Sequence, residues 1–280
     1  MNGDFVACRR CGRIEVAVIR SAVLHWMPVF PPSQVWLTPE VTTDDRGRAI
    51  VDVLGMVIRT PDSIIVVDPG SWTRDELGET LDVIAGRSID DALSVLGLGA
   101  EAVTHVAITH GHADHISGLV RTGMGGAEPR FSNAIHLFPM ADWDSFVLDD
   151  GVVVNEIVAG CLMPVRRCGL LTLVDGPHEV DQFVTLLPAP GESDGHQIVR
   201  ITDGGDRVFH LGDLFHFPVE MEHLDWGPEH ADHVVLEATR RRVLAEAGGP
   251  DSTLVFSHGR FPGWGRAEYS GGVWRWHYIE

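Results

Sequence analysis

Thr109-His110-Gly111-His112-Ala113-Asp114-His115 follows directly on the apolar run Ala102-Val103-Thr104-His105-Val106-Ala107-Ile108. The run reads as a strand, and the polar stretch as a ligand-rich turn at its end. Side chains two apart on an extended segment point the same way, so His110 and His112 can converge on one ion. Asp114 and His115 lie past the reversal and can reach a second. Imidazole with carboxylate suits zinc first, with manganese and iron as alternatives. A chain with 15 His in 280 residues is expected to hold roughly 0.004 chance copies of H-x-H-x-D-H, so a loop of idle surface histidines is the poorer reading.

A hydrophobic content of 44% over 280 residues can bury a sizeable core. The formal charge is -19 and all 21 basic residues are Arg. Such an excess repels phosphate backbones and anionic lipid, so neither nucleic acid nor a membrane surface is an expected partner. Arg166-Arg167 and Arg240-Arg241-Arg242 are the notable basic clusters, and both read as solvated helix faces. No apolar leader follows Met1, and no run approaches the ~18 residues of a spanning helix, so a cytoplasmic protein is expected. Cys8 and Cys11 form a C-x-x-C pair, but Cys161 and Cys168 do not match it; free thiols are expected ahead of a structural zinc.

Along the chain, Ile14 to Arg20 reads as a strand and His25 to Pro32 as a loop rich in Pro and aromatics, suited to a lid. Ala49 to Thr60 and Ser63 to Val67 form a strand pair that runs into Asp68-Pro69-Gly70, where Asp68 can hydrogen-bond a neighbouring ligand loop. Ser88 to Leu96 reads as a helix capped by Ser88. Further helices are expected at Ile116 to Arg121, Met140 to Leu148, Val152 to Met163 and Glu229 to Ala247, with Gly123 to Gly126 as a linker. Strands are expected at Ile135 to Phe138, Phe183 to Pro188, Gln197 to Thr202, Arg207 to Leu211 and Thr253 to Phe256. Asp68, His110, His196, Asp213 and His258 each stand just beyond an apolar strand, where sites gather when sheets are covered by helices.

These five motifs in this order resemble the metallo-β-lactamase superfamily of metallohydrolases, from about Ala49 to the C-terminus. The resemblance implies an α/β (α+β) fold, a four-layer αββα sandwich, with residues 1-280 as one domain and 1-48 as an N-terminal strand and aromatic lid loop. It implies that His110, His112 and His196 bind the first ion, that Asp114, His115 and His258 bind the second, that Asp213 bridges both, and that Asp68 supports them from behind. Two Zn2+ ions, with Mn2+ or Fe as alternatives, would share a hydroxide nucleophile at a formal site charge of about +1. Asp114 is then placed to pass a proton to the leaving group.

The third motif departs from the common P-G-H-T-P-G-H: here it is Pro190-Gly191-Glu192-Ser193-Asp194-Gly195-His196, with Glu192 in the place of the first His and His196 expected to keep the metal. Asp213 and the lack of Lys argue against the branches that cleave β-lactams. The segments Gly212-Asp213-Leu214-Phe215-His216 and His258-Gly259-Arg260-Phe261-Pro262-Gly263-Trp264-Gly265 look most like the branch of methyl parathion hydrolase and related lactonases. In acyl-homoserine lactonases a Tyr often stands where this chain has His216, which could orient an oxyanion or shuttle a proton. Trp26, Trp72, Phe215, Phe217 and Trp264 flank the motif loops and are candidates to line a substrate pocket. The reading is a dinuclear hydrolase that opens an ester, lactone or similar small electrophile. Its rivals are a glyoxalase II type thioesterase, an organophosphate hydrolase, and a metal-binding or redox diiron protein without hydrolysis. Pairing into a homodimer through the N-terminal segment is also implied by the resemblance.

Overall fold

A computed structural model describes residues 3–26, 34, 36, 38, 41–70, 82–123, 126–147, 153 and 155–279. Two large sheets face each other. The first runs β1 (Val6–Cys11), β2 (Ile14–Trp26), β3 (Ala49–Arg59), β4 (Ile64–Val67), β6 (His105–Ala107), β9 (Ile135–Pro139) and β10 (Leu171–Val174), with β5 (Asp82–Gly86) pairing on β2. The second runs in chain order through β11 (His178–Glu179), β12 (Val184–Pro188), β13 (Gln197–Asp203), β14 (Asp206–His210), β15 (Ser252–Val255), β16 (Gly265–Ser270) and β17 (Val273–Tyr278).

Period-two alternation builds the layers, because successive strand side chains point to opposite faces. On β2 and β3, Val16, Val18, Leu54, Met56 and Ile58 point inward and meet Val184, Leu186, Val199, Ile201 and Val208 of the other sheet. Ala17, Ile19 and Val57 point outward, into a core shared with α1 (Ile89–Val95) and α4 (Glu156–Arg167). The outer face of the second sheet is covered by α5 (His233–Ala247), which buries Leu236, Arg240, Val243, Leu244 and Ala247, one stripe at helical spacing. The expected αββα sandwich is therefore present. It places the C-terminal ends of β4, β6, β12, β14 and β15 at one edge.

Several expected boundaries move. β2 does not stop at Arg20: it runs to Trp26, with His25 and Trp26 paired to Ile50 and Ala49, so the start of the expected lid is strand. Residues 27–32 of that lid, and Trp72, lie outside the described residues. The helix placed at Ile116 to Arg121 is instead α2 (Ala113–Ile116) followed by a 3-10 turn at Ser117–Leu119, and then by strand β7 (Val120–Gly123). β7 pairs with β8 (Gly126–Pro129), with Gly123 opposite Gly126, so both ends of the expected linker belong to paired strands. α4 begins after Asn155, whose side chain accepts from Ile157 N and Val158 N, and α5 after Asp232, which does the same for Val234 N and Val235 N. α3 is Met140–Phe146.

Arg240 contradicts the solvated face expected of Arg240-Arg241-Arg242: it is fully buried, paired with buried Glu220. Among the described residues no disulfide joins the four cysteines, and burial pushes the Cys11 thiol up to about 11 and that of Cys161 up to about 12. No helix among the described residues is long and apolar enough to cross a membrane.

Candidate metal centre

The edge where the strands end gathers two groups of side chains. One contains His110, His112, Glu192 and Asp213, the other Asp114, His115 and His258; within each group one ligand atom per residue lies within 4.8 Å of the others. His112 caps α2 with an extended backbone, and Asp114 and His115 fall in its first turn. The reversal that separates the two pairs of the H-x-H-x-D-H motif is thus a helix start.

The spacing between donor atoms fits shared ions. His110 Nε2 is 3.5 Å from Glu192 Oε2 and 3.7 Å from Asp213 Oδ2. On the other side, His115 Nε2 is 3.4 Å from Asp213 Oδ1, and His258 Nε2 is 3.3 Å from Asp213 Oδ2 and 3.4 Å from Asp114 Oδ2. Such separations are long for hydrogen bonds, but they are the edges of a tetrahedron around an ion bound at about 2.0–2.2 Å. Four of the atoms at this centre, His110 Nε2, His115 Nε2, Glu192 Oε2 and Asp213 Oδ1, are buried with no hydrogen-bond partner. Buried polar groups are normally satisfied, so their convergence is what a metal site requires.

The far side of each ring explains why the inner nitrogen is bare. Asp68, buried at the end of β4 with a positive φ of 47°, accepts from Thr109 N at 2.8 Å, Thr109 Oγ1 at 2.7 Å and His115 Nδ1 at 2.8 Å. Thr109 Oγ1 in turn lies 3.0 Å from His110 Nδ1. His258 Nδ1 donates to the Asp52 carbonyl at 3.1 Å. A proton held on each Nδ1 leaves Nε2 as the lone-pair donor. Burial alone would pull the His115 imidazole down, yet Asp213, Asp114 and Asp68 together hold it well above its ordinary range. Asp213 lies well below the carboxylate range, since His258 and His115 outweigh the cost of its burial.

His196, expected as a ligand of the first ion, stands outside both donor groups. Its Nδ1 donates to the Ala189 carbonyl at 2.9 Å, and its Nε2 accepts from the backbone N–H of Asp213 at 3.0 Å. Both nitrogens are committed, so His196 fixes the backbone beneath Asp213 and offers no lone pair to an ion. Gly212, at a φ of 55°, allows that approach: a Cβ there would stand 2.6 Å from His196 Nε2. Glu192 occupies the place expected of a ligand from this loop.

Asp142 and His230, which the sequence reading does not assign to the site, stand there beside His216, which it does. Asp142 on α3 accepts from Gly111 N at 2.9 Å, Gly195 N at 2.7 Å and Ser193 Oγ at 3.1 Å, tying the first histidine loop to the Glu192 loop. His230 Nε2 lies 2.9 Å from Glu192 Oε1. His216 stands beside the second group, its Nε2 3.5 Å from Asp213 Oδ2 and its ring stacked 5.8 Å from that of His258. Burial lowers the His216 imidazole, but Asp213 and Glu220 prevail and hold it at about 10. No local motif marks Asp142 or His230; each is an ordinary polar residue on or before a helix.

A cavity of about 180 Å³ opens over the centre, walled by Leu24, Trp26 and Val51 and floored by His112, Asp114, Glu192, Asp213, His216, His230 and His258. Of the proposed aromatic lining, Trp26 faces it. Phe217 packs between Trp26 and Trp36, with ring centroids 5.7 and 5.2 Å away. Phe215 and Trp264 are buried in the cores instead, Phe215 beneath the Arg240 guanidinium and Trp264 between the sheets. Flanking a motif loop does not decide which way a ring points.

Residues 51–122 match the family model described as the metallo-beta-lactamase superfamily. Among solved structures, the chain is similar to AidC, a dizinc quorum-quenching lactonase in complex with a product, at 17% identity and a TM-score of 0.78, over 99% of this chain and 98% of that one. It is also similar to the hydrolase AbOPH of the beta lactamase superfamily, at 20% identity and a TM-score of 0.79, over 100% and 99% of the two chains. A probable metal-dependent hydrolase from Staphylococcus aureus aligns at 19% identity and a TM-score of 0.71, over 89% of this chain and 91% of that one. A sequence comparison with curated proteins finds no match. The paired donor groups at one edge of two facing sheets, the whole-chain likenesses and the match over the histidine motif agree: this chain has the metallo-β-lactamase fold, with the superfamily's sequence signature in residues 51–122.

Proposed function

We propose that this chain is a metal-dependent hydrolase that opens a small, neutral lactone or ester. The observation that carries the reading is the pair of donor groups sharing Asp213 beneath a half-apolar cavity. Two divalent ions held there would polarise a carbonyl oxygen and acidify a water to supply the nucleophile. The chain's own residues do the rest. Leu24, Trp26 and Val51 offer an apolar wall for the acyl part of a substrate. His216, held by Asp213 and Glu220, is placed to donate to an oxyanion. Asp114, partly exposed at the cavity floor, is placed to return a proton to the leaving oxygen.

Among the described residues no Arg lines this cavity, which favours an uncharged substrate over an anionic thioester such as S-acyl glutathione. A neutral phosphotriester fits the same argument, and it is the rival that the assay separates. Purified protein is assayed for metal content and screened against γ-lactones, aryl esters, thioesters and phosphotriesters, before and after chelation. Turnover of lactone or ester that is lost on chelation and returns with added metal is the expected result. A protein that holds no transition metal, or whose turnover survives His112→Ala with Asp213→Ala, would show the reading to be wrong.

A further inference from the structure

Resting on the two-ion reading above, we propose that Glu192 is the third protein ligand of the first ion, and that its carboxylate turns the His110–His112 site toward harder ions, Mn2+ or Fe2+. Glu192 Oε2 is buried without a hydrogen-bond partner and points at His110 Nε2, 3.5 Å away. Its other oxygen, Oε1, lies 2.9 Å from His230 Nε2 and 3.2 Å from His112 Nδ1. The alternative donor on this loop, His196, has both nitrogens bonded to backbone. The loop is also pinned. Gly191 accepts from Asp232 N at 2.8 Å, where α5 begins, and a Cβ at Gly191 would stand 2.4 Å from Leu236 Cα. The backbone that carries Glu192 therefore cannot shift without moving the start of that helix.

The exchange of imidazole for carboxylate changes the chemistry of the site. His110, His112 and Glu192 make a set of two imidazoles and one carboxylate, the donor combination of non-haem Fe(II) sites, and carboxylate oxygen suits manganese better than a third nitrogen does. The centre also faces three protein carboxylates, Asp114, Glu192 and Asp213, and its formal charge falls by one relative to a histidine at position 192. His230 acts as a positioning residue: by holding Oε1 it leaves Oε2 for the ion, the kind of outer contact whose loss costs about 10–100-fold in metal affinity.

The test loads metal-free protein with Mn2+ and with Zn2+ separately, counts bound ions by mass spectrometry, follows bound Mn2+ by EPR, and measures competition between the two ions. Wild type is expected to bind two ions per chain, Glu192→Gln close to one. Glu192→His should restore the second ion and raise the preference for Zn2+ over Mn2+ by roughly tenfold. His230→Ala should weaken one site by roughly tenfold while leaving the thermal midpoint of the metal-free protein unchanged. Thermal melts in chelator show that each variant is folded. Two ions bound by folded Glu192→Gln at wild-type affinity, or a Glu192→His variant with unaltered preference, would overturn the assignment while leaving the dinuclear reading intact. A wild-type chain that binds neither ion would remove both.

Discussion

Arg240→Met isolates the buried pair that holds the His216 loop. The Arg240 guanidinium donates to the Glu220 carboxylate at 3.0 Å, to the Leu214 carbonyl at 2.6 Å, to the Leu224 carbonyl at 3.2 Å and to the Trp226 carbonyl. Glu220 in turn accepts from the backbone N–H groups of His216 and Phe217. Burial pulls the Arg240 guanidinium below its usual range even though Glu220 opposes it, whereas Glu220 is held at about 2 because Arg240 and His216 outweigh the cost of its burial. The two directions describe a pair of modest net worth that is costly to break, because Glu220 would remain buried with only the His216 imidazole and two backbone N–H groups to offset its charge. Arg240→Met leaves that charge and should cost about 3–5 kcal/mol. Urea unfolding of the metal-free protein measures it, so that metal binding does not enter. Glu220→Gln added to Arg240→Met removes the stranded charge and should recover about half of the loss. The pH dependence has a definite sign. Glu220 has a depressed folded pKa, so its stabilisation is complete above the ordinary value of 4.5 and fades as pH falls toward about 2. In Arg240→Met the largest part of that support is gone and protonation relieves the underpaired charge, so the gap between the two proteins should narrow below about pH 4.5. A loss under about 1 kcal/mol, or a double variant no better than the single, would refute this account.

Gly70→Ala places a Cβ 1.7 Å from the Asp114 carbonyl oxygen, so it must push back the turn that carries Asp114 and His115. Affinity for one of the two ions should drop by roughly tenfold or more in a metal-buffered titration, and wild-type affinity would mean that this close packing does not position the ligands. His136 is buried on β9, and burial lowers its imidazole to about 4 from 6.5. The unfolded chain takes up that proton first, so stability is full above pH 6.5 and declines as pH falls toward 4, by about 3 kcal/mol for this group. His136→Asn, which keeps a donor for the Ala134 carbonyl, should flatten that decline in denaturant melts between those pH values; an unchanged slope would assign it elsewhere.

How much of this was legible along the chain depended on how far apart the deciding groups lie. Apolar runs bounded by turn residues mark β3, β4, β12, β13, β14 and β15, because strands held between layers write their burial into their own residues. It could not say that β2 continues through His25 and Trp26, since the partners that extend it, Ile50 and Ala49, arrive from beyond a long connection. The edge strands β1 and β17, and β16 beside β17, carry exposed polar residues and give no comparable signal. Arg240 sits in a helix whose neighbours Arg241 and Arg242 are exposed, and nothing in that run announces a buried glutamate twenty positions earlier.

The sequence by itself determined that His110, His112, Asp114 and His115 stand together at one strand end, because four residues on one turn cannot be far apart. It also determined that Asp68, Asp213 and His258 stand at strand ends. Only the tertiary structure sets Glu192 apart from His196. Both are competent donors four residues apart on the same loop, and the choice falls to the backbone N–H of Asp213, which takes the His196 Nε2 lone pair at 3.0 Å and leaves Glu192 Oε2 facing the centre. That N–H comes from another strand end, and only the closing of the second sheet brings it there.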